Sequence, residues 1–367
     1  MSEPIPTMPA PNAQQPQYQP QSGQSPQPQD SDPRRAQHAR QGRDWWFTAH
    51  RRFSLIGASL TIMILIWNGL NILLGTSLDP MFGGNMPVWV NLLISSGPLY
   101  LVAIPLSMLI VTRVPAIRTI QYPMRVGEFF QMLIMCFPVM YLGSILGFVL
   151  NLVLTGGRGA NRLNQVMGGD EWWATLLFVV ILAPIVEEWL FRKELISRLR
   201  RYGEKTAIVF SAITFGLFHM NLFQFFYAFG LGLIFGYVYT RTSRLRYTVL
   251  MHMVINLNGS VVAPFLVEQV DPRIMNGSMS QEELLRMASE PGAGMGGIGY
   301  LSLYGMVLMG LTIAGIVLLI IKRKSWEFYP APEELPAGLK VRTVYGNPGV
   351  IVYLLLTISL TGWMLFM

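Results

Sequence analysis

Between Ile181 and Asn256 the chain sets ionisable side chains inside otherwise apolar sequence. The run "ILAPIVEEWLFRKEL" carries Glu187, Glu188 and Arg192, "TFGLFHM" carries Phe215 and His219, and "LMHMVIN" carries His252 and Asn256. A charged group in hydrocarbon costs roughly 2.5 to 3.5 kcal/mol on insertion scales, so such a cluster at membrane depth marks function. Adjacent residues on a helix diverge by about 100°, so Glu187 and Glu188 cannot share one face. Arg192 stands one turn after Glu188, which stacks the two, and an ion pair between them leaves Glu187 as the carboxylate that can face a cavity. A carboxylate placed there can take a proton from water and pass it on. His219 with Phe215, and His252 with Asn256, are likewise one turn apart on single helix faces. Imidazole can polarise a scissile carbonyl, steady an oxyanion or orient the attacking water, and the Asn256 amide can donate to the same developing charge. Phe215 is expected to shape the pocket wall. The chemistry these residue types suggest is hydrolysis of a peptide bond.

The elements that must position them are membrane helices. The chain has 367 residues, 52% hydrophobic and 13% charged, too few charges to cover a soluble globule of this size. Apolar runs of roughly 20 residues recur, each long enough to cross a hydrocarbon core of about 30 Å. The expected fold is an all-α polytopic transmembrane bundle of about eight to nine spans, with nine candidates counted in all and residues 206–221 among them. Residues 1–44, rich in Pro, Gln and Ser, are expected to form a disordered cytoplasmic tail. Residues 45–367 form the transmembrane domain, with 170–260 as its core. The opening "MSEPIPTMPAPNAQQ" has no basic stretch followed by an apolar one, so no cleaved signal peptide is expected. Cys136 is the single cysteine, which removes an intramolecular disulfide or a cysteine-built metal site.

The net charge of +7 does not indicate nucleic acid. With the N-terminus cytoplasmic, only Arg158, Arg162, Arg273 and Arg286 among the Lys and Arg residues fall in outward loops, so the surplus reads as a topology signal. The expected location is a cell membrane, and the partners are the bilayer and a membrane-associated peptide or protein. Pro184 removes a backbone donor and should bend the fourth span just before the Glu pair. Gly232 and Gly236 stand at small-xxx-small spacing, which lets helices approach closely. The loop after the third span, "TGGRGANRLNQVMGGDE", lacks a phosphate-cradle pattern and reads as a flexible outer turn. The outer acidic residues Glu268, Asp271, Glu282, Glu283 and Glu290 lack the ligand spacing of an EF-hand and read as a solvated loop.

"EEWLFR" at Glu187 to Arg192, "FGLFH" at Phe215 to His219 and "HMVIN" at His252 to Asn256 follow one another on successive helices. Together they resemble the EExxxR, FxxxH and HxxxN/D set of the CAAX protease and bacteriocin-processing family of intramembrane endopeptidases, which includes the type II CAAX prenyl endopeptidases. The resemblance covers roughly 170–260. It implies that Glu187 activates water, that Glu188 and Arg192 support it, and that His219, His252 and Asn256 complete the site.

The cofactor stays open at this point. Two His plus one Glu make a legitimate catalytic zinc set, which here would be Glu187, His219 and His252. A metal-free glutamate mechanism is slightly favoured, because the compact HExxH arrangement is absent. Counted from Arg192 and Arg246, Glu187 and His252 should lie about 8 to 9 Å deep, whereas His219 counted from Lys205 should lie near about 21 Å. The two agree if the fourth helix projects beyond the bilayer through Arg198 to Arg201 and the turn at Asn221 is buried in protein. The site is then expected in the cytoplasmic half. Two other functions fit intramembrane Glu and His: a proton-coupled transporter, and a non-catalytic binding or immunity protein of the same fold. No broken helices in two corresponding halves support the transporter.

Overall fold

The computed structural model describes residues 33–159, 171–289 and 295–366. Met1–Trp45 and Trp46–Met367 are two separate compact units. The described residues form helices and connections without a strand. The principal helices are α1 (Pro33–Leu78), α2 (Val88–Val111), α3 (Val126–Thr155), α4 (Trp172–Tyr202), α5 (Glu204–Phe218), α6 (Leu222–Thr242), α7 (Leu245–Glu268), α8 (Met295–Lys322), α9 (Ala337–Val344) and α10 (Pro348–Leu365).

Eight of the helical stretches are long and apolar enough to cross a membrane, consistent with the expected all-α polytopic bundle. The ninth expected span is α5, which has 15 residues. At about 1.5 Å per residue it reaches only about 22 Å, short of a full crossing. The turn at Asn221 that ends it is built into the protein, because Asn221 lines an internal cavity. Helix α1 starts at Pro33, inside the stretch expected to be a disordered tail. Pro suits the first helical position, and the Arg, Ala and Gln that follow are good helix formers. Residues 1–32 of the expected tail, most of the glycine-rich loop and Glu290 lie outside the described residues.

Helix α6 packs chiefly on α3 and α5, and α3 also receives α8. Gly232 and Gly236 make the α5 contact possible: a Cβ on Gly232 would meet Ala212 Cα at 2.9 Å, and one on Gly236 would meet Ile208 Cγ2 at 3.0 Å. Under α6 lies a core of Met135, Cys136, Phe235, Val238 and Met251, all fully buried. In the acidic segment after α7, Arg273 pairs with Asp271 at 2.8 Å and with Glu283 at 3.5 Å. Donation from Arg273 holds the Asp271 carboxyl below the usual carboxylate range.

The connections with most of the basic residues gather at one end of the bundle. Tyr122 N–H donates to Thr242 O at 2.9 Å, Ile117 N–H to Ser197 O at 2.8 Å, and Leu335 N–H to Tyr202 O at 3.2 Å. Glu333 joins Arg52 at 3.5 Å and Arg201 at 3.2 Å across the same end. Here the chain reverses from α4 to α5 at Gly203, whose φ of 120° suits glycine.

Helices α1 and α10 touch backbone to backbone at Gly57 and Gly349, where an added Cβ would collide with main-chain atoms of the other helix. Gly349 N–H also donates to Ser54 Oγ at 3.1 Å. Gly349→Val should therefore push the helices apart and destabilise the fold by about 1–3 kcal/mol or more, read as a lower unfolding temperature of purified protein in detergent.

Candidate active site

The two glutamates diverge as their adjacency requires. Glu188 is fully buried and accepts from Arg192 Nε at 3.0 Å and Nη2 at 3.4 Å. Arg192 is itself fully buried, donates through Nη1 to Ser211 Oγ at 2.8 Å, and lies 4.8 Å from the centre of the Phe215 ring. Ser211 Oγ donates in turn to Phe191 O at 2.8 Å. The other oxygen facing α7, Glu188 Oε1, lies 3.1 Å from His252 Nδ1. A carboxylate paired with arginine only accepts, so this contact puts the His252 proton on Nδ1. Nε2 is thereby turned toward Glu187 Oε2, 3.8 Å away. Phe215 and Phe235 flank the His252 ring at 5.9 and 5.6 Å between centroids.

Glu187 opens into a cavity of about 330 Å³ that is also lined by Phe215, His219, His252 and Asn256. Glu188 and Arg192 are not among its lining residues and stand behind it. The structure thus brings five of the sequence-derived residues to one cavity and the remaining pair to the wall that supports it. His219 sits at the end of α5, where its Nδ1 lies 2.8 Å from Phe215 O. Because a carbonyl only accepts, this nitrogen carries the proton, and Nε2 is the one that can act on a ligand.

Helix α4 is not a uniform α-helix. Residues Leu176–Leu182 and Trp189–Ile196 are wound as π-helix on either side of the α-helical Ala183–Glu188. In the first π segment Ala183 N–H bonds to Phe178 O, so the next carbonyl, Val179 O, looks to residue 184 for its donor. That residue is Pro184, which has no N–H. Asn256 Nδ2 supplies the bond instead, at 2.9 Å. One of the two amide N–H groups of Asn256 is therefore committed to the backbone, and the expected donation to substrate is limited to the other. Phe191 O, in the second π segment, also accepts from a side chain, Ser211 Oγ.

Arg192 does not mark a membrane surface, since it is fully buried. Glu187 precedes Tyr202 on α4 by as many residues as His219 follows Glu204 on α5. Both thus lie about 22 Å along their helices from the Gly203 reversal, and His252 on α7 lies six residues after Arg246. From there the lining continues away from the basic end, through Val179 and Phe178 on α4, Ser260 on α7 and Phe223 on α6.

Sequence reasoning missed several lining or supporting residues. Ser211 stands one turn before Phe215, so the helix face that carries the motif already held the signal for it. Tyr100, Tyr227 and Trp67 also line the cavity, but they come from helices with no spacing relation to the motifs. Among the described residues, no group of three His, Cys, Asp or Glu side chains is arranged to hold a metal ion. Glu187, His219 and His252 share the cavity without forming such a group.

Ser211→Ala should leave Arg192 Nη1 without its acceptor in a site that water does not reach. The expected loss is about 1–3 kcal/mol of stability, with weaker hold on Glu188, and thermal unfolding of the purified variant measures it.

No curated protein and no solved structure matches the chain. Residues 169–258, which include Glu187, Glu188, Arg192, Phe215, His219, His252 and Asn256, match the family model described as type II CAAX prenyl endopeptidase Rce1-like. By that match this segment is similar to the CAAX-type intramembrane proteases, which is consistent with the wider CAAX protease and bacteriocin-processing group.

Proposed function

We propose that the chain is an intramembrane endopeptidase that hydrolyses a peptide bond in a membrane-associated or lipidated protein or peptide, with Glu187 as the group that activates water. The observation that carries this reading is the chain of contacts from Arg192 through Glu188 to His252, which leaves Glu187 and His252 Nε2 facing each other at the cavity edge. A water held between the two gives its proton to Glu187 as its oxygen attacks the scissile carbonyl. The tetrahedral oxyanion draws on the free N–H of Asn256, while the unprotonated Nε2 of His252 helps orient the water as an acceptor. Glu187 then returns the proton to the leaving amine as the C–N bond breaks. Arg192, Glu188 and Ser211 act through His252 and touch neither water nor substrate.

The mechanism needs no metal in this reading, and zinc at Glu187, His219 and His252 is the competing one. Purified protein should cleave its substrate after extended treatment with a zinc chelator, and Glu187→Gln should remove cleavage, a loss of at least about a hundredfold for a general base, while leaving the unfolding temperature unchanged. Substrate can be found as precursors that accumulate uncut in membranes of a Glu187→Gln strain. Cleavage at the wild-type rate by Glu187→Gln would overturn the assignment.

The N-terminus and the basic end are proposed to face the cytoplasm, because the segments that meet there carry Arg113, Arg118, Arg125, Arg244, Arg246 and Lys322 to Lys324. In a Cys136→Ala background, a cysteine introduced at Asn276 should react with an impermeant thiol reagent added to intact cells, and one at Ser325 should not.

A further inference from the structure

A second cavity, of about 700 Å³, lies at the basic end, separate from the one that holds Glu187. Its charged lining consists of Arg118, Arg200, Arg241 and Glu204. Glu204 is a shared counter-ion: Oε1 accepts from Arg200 Nη2 at 2.8 Å, while Oε2 accepts from Arg241 Nη2 and from Tyr329 N–H at 3.0 Å. One carboxylate therefore serves two guanidinium groups and a backbone donor, and Arg118 adds a third positive charge at the exposed rim. Glu333, on the adjoining connection, is occupied by Arg52 and Arg201.

A second observation concerns donors. The Nε–H of Arg241 is buried and has no acceptor in the protein. A buried N–H left unmet is costly, more so on a charged group, and a ligand rich in oxygen would relieve it. Guanidinium groups bind phosphoryl oxygens through paired N–H donors. The rim adds apolar surface: Ile120 is 72% exposed and Tyr122 is 55% exposed beside Arg118. An anionic head with apolar matter attached satisfies both parts of the wall.

We infer that this cavity is a binding site for a phosphoryl anion, distinct from the proteolytic cavity, with Arg118, Arg200 and Arg241 as its recognition groups. The phosphoryl group belongs to an anionic phospholipid or to a soluble phosphate, and the test separates the two.

Full-length protein in neutral detergent is titrated with phosphatidylglycerol, with phosphatidylcholine and with inorganic phosphate, and read by native mass spectrometry and by thermal unfolding. The expected result is a one-to-one complex with phosphatidylglycerol that phosphatidylcholine does not form. Arg118→Gln, a rim substitution that leaves the Glu204 pairs intact, should weaken it about fivefold. Arg158→Gln, in a distant loop, should leave it unchanged. Stabilisation by inorganic phosphate, sensitive to Arg118→Gln and without a phosphatidylglycerol complex, supports the site with a soluble ligand. Equal retention of both lipids with no effect of phosphate overturns the inference. So does an equal loss in the Arg118 and Arg158 variants, which would report general charge attraction.

Discussion

The structure depends on the buried contact between Arg192 and Glu188. Taking both charges out of water costs several kcal/mol for each ion, and their attraction offsets this only when the remaining donors and acceptors are met. They are met here. Arg192 spends two nitrogens on Glu188 and a third on Ser211, and its flat face lies over Phe215. The oxygen of Glu188 that is farther from Arg192 also takes the His252 Nδ1 proton. Three helices are thus locked by one ion pair: α4 carries it, α5 supplies Ser211 and α7 supplies His252. Because Glu187 is the next residue on a helix so locked, its direction is fixed too, and it faces the cavity without an arginine of its own.

The π-helical turns of α4 explain how that register is reached. A π turn rotates the residues beyond it and leaves carbonyls without their usual partners in the same helix. In α4 Val179 O is left in this way, and both it and Phe191 O accept from side chains, of α7 and α5 respectively. Pro184 makes the first of these an obligate vacancy, since the donor that the π winding would call on is the nitrogen proline lacks. Asn256 therefore has a structural task that its motif position does not reveal. It pins α7 to α4 one turn from His252, which sets the height at which His252 meets Glu188.

Much of the site was legible in the sequence because helical geometry converts spacing into direction. Adjacent glutamates had to diverge, and a glutamate and an arginine one turn apart had to stack. The polytopic helical fold was legible for an equally simple reason, the length of the apolar runs. What was not legible depends on contacts between distant segments. Nothing in the spacing tells that Arg192 is enclosed by Ser211 and two phenylalanines, so it cannot serve as a surface marker from which to count depth. The shortness of α5 was hidden because its apolar run continues through the Asn221 turn into α6. The start of α1 at Pro33 was masked by a Pro- and Gln-rich neighbourhood, although the residues after Pro33 favour helix.

The two glutamates that anchor each end of the α4–α5 hairpin show how burial sets charge balance along it. Deep in the bundle, Glu188 has one arginine and an imidazole that can remain neutral, so the fully enclosed group carries no surplus charge. Beside the reversal, Glu204 has Arg200 and Arg241, and the surplus positive charge is left where solvent and lipid head groups can approach. Repulsion between guanidinium groups is tolerable there because screening is available, and it would not be in the enclosed site. The equal arms of the hairpin convert this into function: balanced pairing holds Glu187 and His219 level with each other at the far end, while the unbalanced end is free to hold an anion.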